Sequence, residues 1–275
     1  MEKKPLSLKE HQEIIYDLLY TLDDFCKEYN IRYFLAHGTL LGAIRHHGLI
    51  PWDDDADVMM EREEFERFKS LITNNPPKGY KGYNIDNTHD YYYPFIKFGK
   101  LGTCVVERDW KCVPKEGIGI NIDVFPIDGC PNDLTDAQTY VINKLNERFY
   151  HIHYWFDLEL KDFVGIKQKL YYLYYRIRKH RVIIRPYFKH LYNQVRQYQL
   201  KDSTYFFSFW TFRGSRNLFP KSCISELIDV PFGNRNLPIP RGYDEMLKIE
   251  YGDYMTPPSE KGKESTHRHD VYILK

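Results

Sequence analysis

Apolar positions at three- and four-residue spacing open the chain. Leu8, His11, Ile15, Leu18, Leu22 and Phe25 form one stripe of an amphipathic helix. Ser7-Leu8-Lys9-Glu10 supplies a capping box ahead of it, with Leu6 placed as the hydrophobic staple. The period then changes. Residues 31–36 are nearly continuous in apolar character and read as a buried strand, followed by a Gly38-Thr39 turn and a short helix. Asp55-Ala56-Asp57-Val58 alternates with a period of two and leads into Met59 and Met60, which predicts a second strand. A helix over residues 62–73 turns Phe65, Phe68 and Leu71 inward and stops at Asn74-Asn75-Pro76-Pro77. Residues 78–124 read as β-rich, with strands expected at 93–98, 103–107 and 118–124. From 134 to 200 the pattern is helical, with one internal proline, Pro186. Short strands at 228–232 and 237–240 flank Gly233-Asn234-Arg235-Asn236 as a hairpin turn, and a helix follows at 243–251. The pattern predicts an α+β fold: a mixed β-sheet core flanked by helices, with a helical second half.

At 275 residues the chain is long enough for one substantial core. We read one catalytic domain in three parts: a core over 1–133, a helical basic and aromatic insertion over 134–202, and strands, helix and tail over 203–275 that complete it. A net charge of +1 gives no overall bias toward polyanions. The average hides an asymmetry, because residues 163–201 carry ten Lys or Arg and no Asp or Glu, which leaves the rest of the chain at −9. Tyr171, Tyr172, Tyr174, Tyr175, Tyr187, Phe188, Tyr192 and Tyr198 interleave with those cations. Such a stretch fits an anionic membrane surface or a lipid-linked glycan, a solvated helical face, or, ranked third, nucleic acid. Five cysteines, an odd number at scattered positions, point to a reducing compartment. Cys104, Cys112 and Cys130 lack the paired spacing of a zinc site, and Cys26 and Cys223 read as core positions. The N-terminus shows neither a secretion signal nor a membrane span.

The strongest chemical signal lies at residues 53–57. Asp53, Asp54, Asp55 and Asp57 repel one another unless a cation sits among them. Asp55 and Asp57 share one face of the expected strand, and two parallel carboxylates at a strand end suit Mg²⁺ or Mn²⁺, ions that commonly bridge to substrate phosphates. Upstream, Gly38 lets the backbone approach a ligand, and the amides that open the next helix, at Gly38 and Thr39, face an anion. Asp123 ends another predicted strand. Placed beside Asp55 and Asp57 it would complete a triad for metal-assisted phosphoryl transfer and serve as general base toward an acceptor hydroxyl. Asp128, in Ile-Asp-Gly, reads as a structural turn residue. Lys97, within a predicted strand, is placed to offset phosphate charge. His46 and His47 read equally as solvated helix-end residues, and Trp52 after Pro51 as a brace for the turn.

Gly38-Thr39-Leu40-Leu41-Gly42-Ala43-Ile44-Arg45, followed by Ile50-Pro51-Trp52-Asp53-Asp54-Asp55-Ala56-Asp57-Val58, resembles the signature of the LicD/fukutin family of phosphotransferases. Residues 119–128 and the C-terminal Tyr251-Gly252-Asp253-Tyr254-Met255 with Pro257 and Pro258 extend the likeness over most of the chain. Thr39 stands where the wider superfamily usually has Gly or Ser, and the spacer to Asp55 is somewhat long; within this family both features are usual. The resemblance implies a nucleotidyltransferase-like fold and transfer of phosphocholine from CDP-choline to a sugar hydroxyl of a cell-surface glycan precursor, teichoic acid or similar, with release of CMP. It implies Mg²⁺ or Mn²⁺ held by Asp55, Asp57 and Asp123, Arg45 on the donor phosphates, and His267 near donor or acceptor. A glycan acceptor further implies a bacterial envelope pathway, with the enzyme cytoplasmic or peripheral at the inner face of the membrane. Choline is a quaternary ammonium and calls for an aromatic cage, easily built from 24 Tyr and 4 Trp. The same metal site serves transfer of ethanolamine or ribitol phosphate, or nucleotidyl transfer to a small molecule or protein. A catalytically silent glycan- or membrane-binding module is disfavoured, since it would not need three aspartates.

Overall fold

The computed structural model describes residues 3–89, 91, 93–107, 114, 117–150, 165–179, 184–209, 214–259 and 269–274. After a short strand β1 (Lys3–Pro5), helix α1 (Leu8–Glu28) starts as its sequence predicts. The Ser7 amide donates to Glu10 Oε2 at 2.9 Å and the Glu10 amide donates to Ser7 Oγ, so the capping box is complete. Ile15, Leu18, Leu22 and Phe25 are buried as expected, whereas Leu8 is 40% exposed because it stands in the first turn, before the helix reaches the sheet.

The strand expected over 31–36 shrinks to β2 (Phe34–Leu35). Asn30 takes a left-handed φ of 50° after α1, and Ala36 already serves as N-cap of α2 (His37–His46), so little of the segment is left to pair. His47 closes α2 in the left-handed region, and the Gly42 backbone lies so close to Gly48 that a Cβ would stand 2.4 Å from the Gly48 carbonyl oxygen. β3 (Asp57–Glu61) leads directly into α3 (Arg62–Asn74). On α3, Phe65, Phe68 and Ile72 are fully buried, and Leu71 only partly.

β4 (Tyr80–Tyr83), β5 (Ile96–Glu107) and β6 (Ile118–Gly129) follow. β4 escapes prediction because Tyr-Lys-Gly-Tyr shows no clear alternation. β5 joins two predicted strands into one; Gly102, with φ of 77°, and a shift of register between Lys100 and Val105 mark the join as a bulge. β6 runs past residue 124, so Asp128 lies in a strand and not in a turn. The helical stretch resolves into α4 (Leu134–Tyr150), α5 (Ile166–Lys179) and α6 (Ile184–Val195), with Pro186 in the first turn of α6, where a missing amide costs no bond. β7 (Tyr205–Phe207) and β8 (Leu218–Pro220) precede the hairpin β9 (Leu227–Phe232) and β10 (Arg235–Pro240). The hairpin turn is tighter than expected, because Arg235 pairs with Phe232 and only Gly233, at φ of 60°, and Asn234 remain between the strands. α7 (Tyr243–Tyr251) has the expected limits. The tail expected to complete the domain finishes in a strand, β11 (His269–Leu274), that pairs with β5 and β1.

Among the described residues the main sheet runs β1-β11-β5-β6-β3-β2, with β4 on β5 and β7 joining β6 to β8. β3 and β6 are parallel, and the other pairs are antiparallel, including the separate β9–β10 hairpin. Alternate residues of the central strands serve two cores. Val58, Met60, Ile120, Ile122 and Val124 pack with α1 and α3, while Phe34, Met59, Phe125 and Ile127 join a second cluster with Tyr91, Phe95 and Met246. Burial on both faces explains why the run from Val58 to Met60 is apolar without alternation. Cys26, Cys104, Cys130 and Cys223 are buried free thiols; Cys112 lies outside the described residues.

Candidate active site

The parallel pairing of β3 with β6 sets Asp57 directly opposite Asp123. Backbone bonds fix this edge: the Asp123 amide donates to Ala56 O at 2.8 Å, the Ala36 amide donates to Asp57 O at 3.0 Å, and the Asp57 amide donates to Thr39 Oγ1 at 2.8 Å. Thr39 is buried and acts through that bond, behind the site wall. The loop ahead of β3 is pinned from α1. Gln12 Nε2 donates to Ile50 O and Asp53 O, and Tyr16 Oη accepts from the Leu49 amide. Held this way, Asp53, Asp54 and Asp55 each bring a carboxylate oxygen within 4.8 Å of the other two.

Burial, then the charges of Asp55, Asp123 and Asp53, push the Asp57 carboxyl well above the usual carboxylate range, with Lys97 opposing them. Lys97 stands across the sheet from Asp123, and its Nζ donates to Asp123 Oδ1 at 2.8 Å and to Asn121 Oδ1 at 3.2 Å. The donor set is all oxygen, which suits a hard divalent cation.

These groups line one cavity of about 640 Å³, a volume in the range of small-molecule sites. Trp52, Tyr93, Phe95, Tyr251 and Tyr254 supply aromatic wall beside the carboxylates. Tyr93 and Phe95 lie 4.7 Å apart by ring centroids, and Lys97 Nζ sits 5.3 and 5.6 Å from them, so their faces already receive a cation. Arg45 also lines the cavity. Its Nη1 donates to Tyr254 O at 2.8 Å, tying α2 to the Tyr-Gly-Asp-Tyr segment, and its guanidinium lies 6.0 Å from the Trp52 ring centroid. Trp52 therefore braces Arg45 and His46 while facing the cavity. A Cβ on Gly38 would stand 3.0 Å from Asp53 Oδ2, so this glycine admits the acidic loop against the first turn of α2.

The structure thus brings Gly38, Arg45, Asp55, Asp57, Lys97 and Asp123 to one cavity. Thr39 supports it from behind, and His267 lies outside the described residues. Sequence reasoning missed four residues. His11 and His269 line the cavity, with the His269 Nε2 3.4 Å from Asp54 Oδ2; His11 reads as a core position of an amphipathic stripe and His269 as part of a tail. His37 and Glu250 form a buried pair, with Nδ1 and Oε1 2.5 Å apart. Their one sequence signal is position, since His37 precedes Gly-Thr and Glu250 precedes Tyr-Gly-Asp-Tyr.

The family model described as LicD/FKTN/FKRP, nucleotidyltransferase domain, matches residues 30–172, more than half of the chain. The chain belongs to the LicD family. The lipopolysaccharide cholinephosphotransferase LicD of Haemophilus influenzae is 28% identical over 277 residues, covering 98% of this chain and 100% of that protein. Two uncharacterized Rickettsia proteins match shorter stretches: one of R. typhi at 38% over 80 residues, which is 29% of this chain and 24% of its own, and one of R. prowazekii at 35% over 88 residues, 30% of each. Full-length cover by the Haemophilus LicD enzyme means that the helical segment and the C-terminal strands, and not only the signature, have counterparts there.

Proposed function

We propose that this LicD-family chain is a metal-dependent phosphotransferase that moves phosphocholine from CDP-choline to a sugar hydroxyl of a glycan, releasing CMP, on a nucleotidyltransferase-like core. The observation that carries the reading is the in-register pairing of Asp57 with Asp123 beside Asp55, facing a cavity that also holds an aromatic wall. The full-length likeness to a lipopolysaccharide cholinephosphotransferase supports phosphocholine as the transferred group and a glycan as the acceptor. Asp53, Asp54 and Asp55 also crowd closely enough to share an ion. We assign Mg²⁺ or Mn²⁺ to Asp55, Asp57 and Asp123 because two of the three are fixed by strand pairing. Asp55, Asp57 and Asp123 would hold such a cation, which would supply charge neutralisation for the donor diphosphate. Arg45 and Lys97 offset phosphate charge, Gly38 leaves room beside the acidic loop, and the aromatic wall of the cavity suits a quaternary ammonium.

Purified protein is expected to release CMP from CDP-choline with Mg²⁺, and EDTA should stop it. Pyrophosphate from a nucleoside triphosphate, with CDP-choline untouched, would instead mark a nucleotidyltransferase, and turnover of CDP-ethanolamine or CDP-ribitol alone would change the transferred group.

A peripheral place at the inner face of the membrane belongs to the same proposal. Among the described residues no helix is long and apolar enough to cross a membrane. On α5, however, Ile166, Leu170 and Leu173 are 79%, 59% and 45% exposed at i, i+4 and i+7 spacing, with Lys167 and Lys169 on either side of the stripe. Co-sedimentation with vesicles containing phosphatidylglycerol is expected, weaker with pure phosphatidylcholine. Replacing Leu170 and Leu173 together by Glu should remove it, and retention by that variant would rule out this face.

A further inference from the structure

His37 opens α2 with a left-handed φ of 48°, an uncommon conformation for a residue with a Cβ. Its side chain is anchored: Nδ1 meets Glu250 Oε1 on α7 at 2.5 Å, and both residues are buried, at 9% and 2% exposure. The ring stands edge-on to Phe125, with centroids 5.8 Å apart, and lines the same cavity as Asp57 and Asp123. Nε2 is buried and meets no hydrogen-bond partner among the described residues. Buried polar groups are rarely left unbonded, and one in the wall of a cavity is a place to look for a ligand's group. In the neutral tautomer whose Nδ1–H donates to the Glu250 carboxylate, Nε2 carries the lone pair and is an acceptor. Asp123, the base that its sequence context suggests, already accepts from Lys97 and faces Asp57 in register, which suits it to sharing a cation.

Resting on the phosphotransferase reading, we propose that His37 is the general base for the acceptor hydroxyl and that Glu250 is its positioning residue. The hydroxyl oxygen forms the new bond to the phosphorus of the phosphocholine group. Its proton passes to Nε2 of His37, the bond from phosphorus to the CMP oxygen breaks with its electron pair on CMP, and the proton leaves His37 for solvent after the product departs. The carboxylate–imidazole pair fixes the tautomer and stabilises the imidazolium that forms, the logic of base and orienting group seen in other transfer sites.

The test is CMP release from CDP-choline with Mg²⁺, with water and methyl glycosides of glucose, galactose and N-acetylgalactosamine as acceptors. His37→Gln and His37→Ala are expected to lower kcat on the order of 10²-fold or more, with CDP-choline binding close to that of the parent, and to lower the melting temperature because Glu250 loses its buried partner. Added imidazole should return part of the rate to His37→Ala and none to His37→Gln, which fills the space. Glu250→Gln, which still accepts from Nδ1, should keep more activity than Glu250→Ala. A purely structural latch would leave imidazole without effect on His37→Ala at temperatures where that variant is folded, and that result overturns the assignment. So does a His37→Gln protein with the parent's kcat. Failure of the parent itself to release CMP would remove the phosphotransferase reading and the base with it, whereas an active parent with equally active His37 variants removes the base alone.

Discussion

Asp57→Asn is expected to abolish metal-dependent CMP release, by on the order of 10³-fold or more, while the protein becomes more resistant to heat. Both effects follow from one arrangement. Asp57 is pushed up by burial and by Asp55, Asp123 and Asp53, so in the folded protein its ionised form is disfavoured relative to the unfolded chain. A raised carboxyl binds more protons folded than unfolded between its ordinary pKa and its elevated one. Stability therefore falls as pH rises through that window, and the cost is fully present above it. An amide removes the cost, and the melting temperature should rise by about 2–4 °C for each kcal/mol of repulsion relieved. Mg²⁺ should raise the melting temperature of the parent, since a ligand of the folded state stabilises by mass action, and should do so much less for Asp57→Asn. Trading stability for a charged site is common where function needs it. A variant that melts lower than the parent, or still turns over CDP-choline, would show that Asp57 serves the fold and not the cation.

The acidic site was legible because its parts are local. Asp55 and Asp57 lie two positions apart, Asp55 in the loop ahead of β3 and Asp57 at its start rather than both in the expected strand, and a strand carrying Asp123 needs one neighbour to join them; the parallel pairing of β3 with β6 supplies it. The capping box of α1 and the limits of α7 were legible for the same reason, since they depend on a few adjacent side chains. Pairing across distance was not legible. Glu250 reaches His37 over 213 positions, and nothing in either segment announces the other. β11 was not expected as a strand, because the short run His-Asp-Val-Tyr-Ile-Leu becomes one only where β5 offers an edge. Asp128 was read as a turn residue from Ile-Asp-Gly, yet Gly129 pairs with Phe206 and continues the strand, and the charge of Asp128 is answered from α3.

That answer sets the second large effect, on stability. Arg62→Ala is expected to destabilise the fold by about 3–5 kcal/mol. Arg62 opens α3 and gives a bidentate pair to Asp128, Nε to Oδ1 at 2.8 Å and Nη2 to Oδ2 at 2.5 Å, while Nη1 donates to Tyr192 Oη at 2.6 Å. Tyr192, on α6, in turn donates to Glu66 Oε1 at 2.5 Å, and its ring lies 4.6 Å from the guanidinium. Burial alone would lower the Arg62 pKa, but Asp128 outweighs it and holds the guanidinium above its ordinary value, whereas burial itself pushes the Tyr192 hydroxyl up. The network joins β6, α3 and α6 and so fastens the helical segment to the sheet. Truncating Arg62 leaves the carboxylate of Asp128, only 2% exposed, without its counter-charge, and that uncompensated burial supplies most of the loss. Arg62→Met with Asp128→Leu should therefore lose much less than the sum of the two single changes, because the pair is removed whole. Urea unfolding at matched slope gives all four corners of the cycle, and cleavage by a protease within α6 should rise in Arg62→Ala before global unfolding. Additive losses would mean that Arg62 and Asp128 act on stability separately, with the contacts to Tyr192 and Phe65 carrying the effect of Arg62.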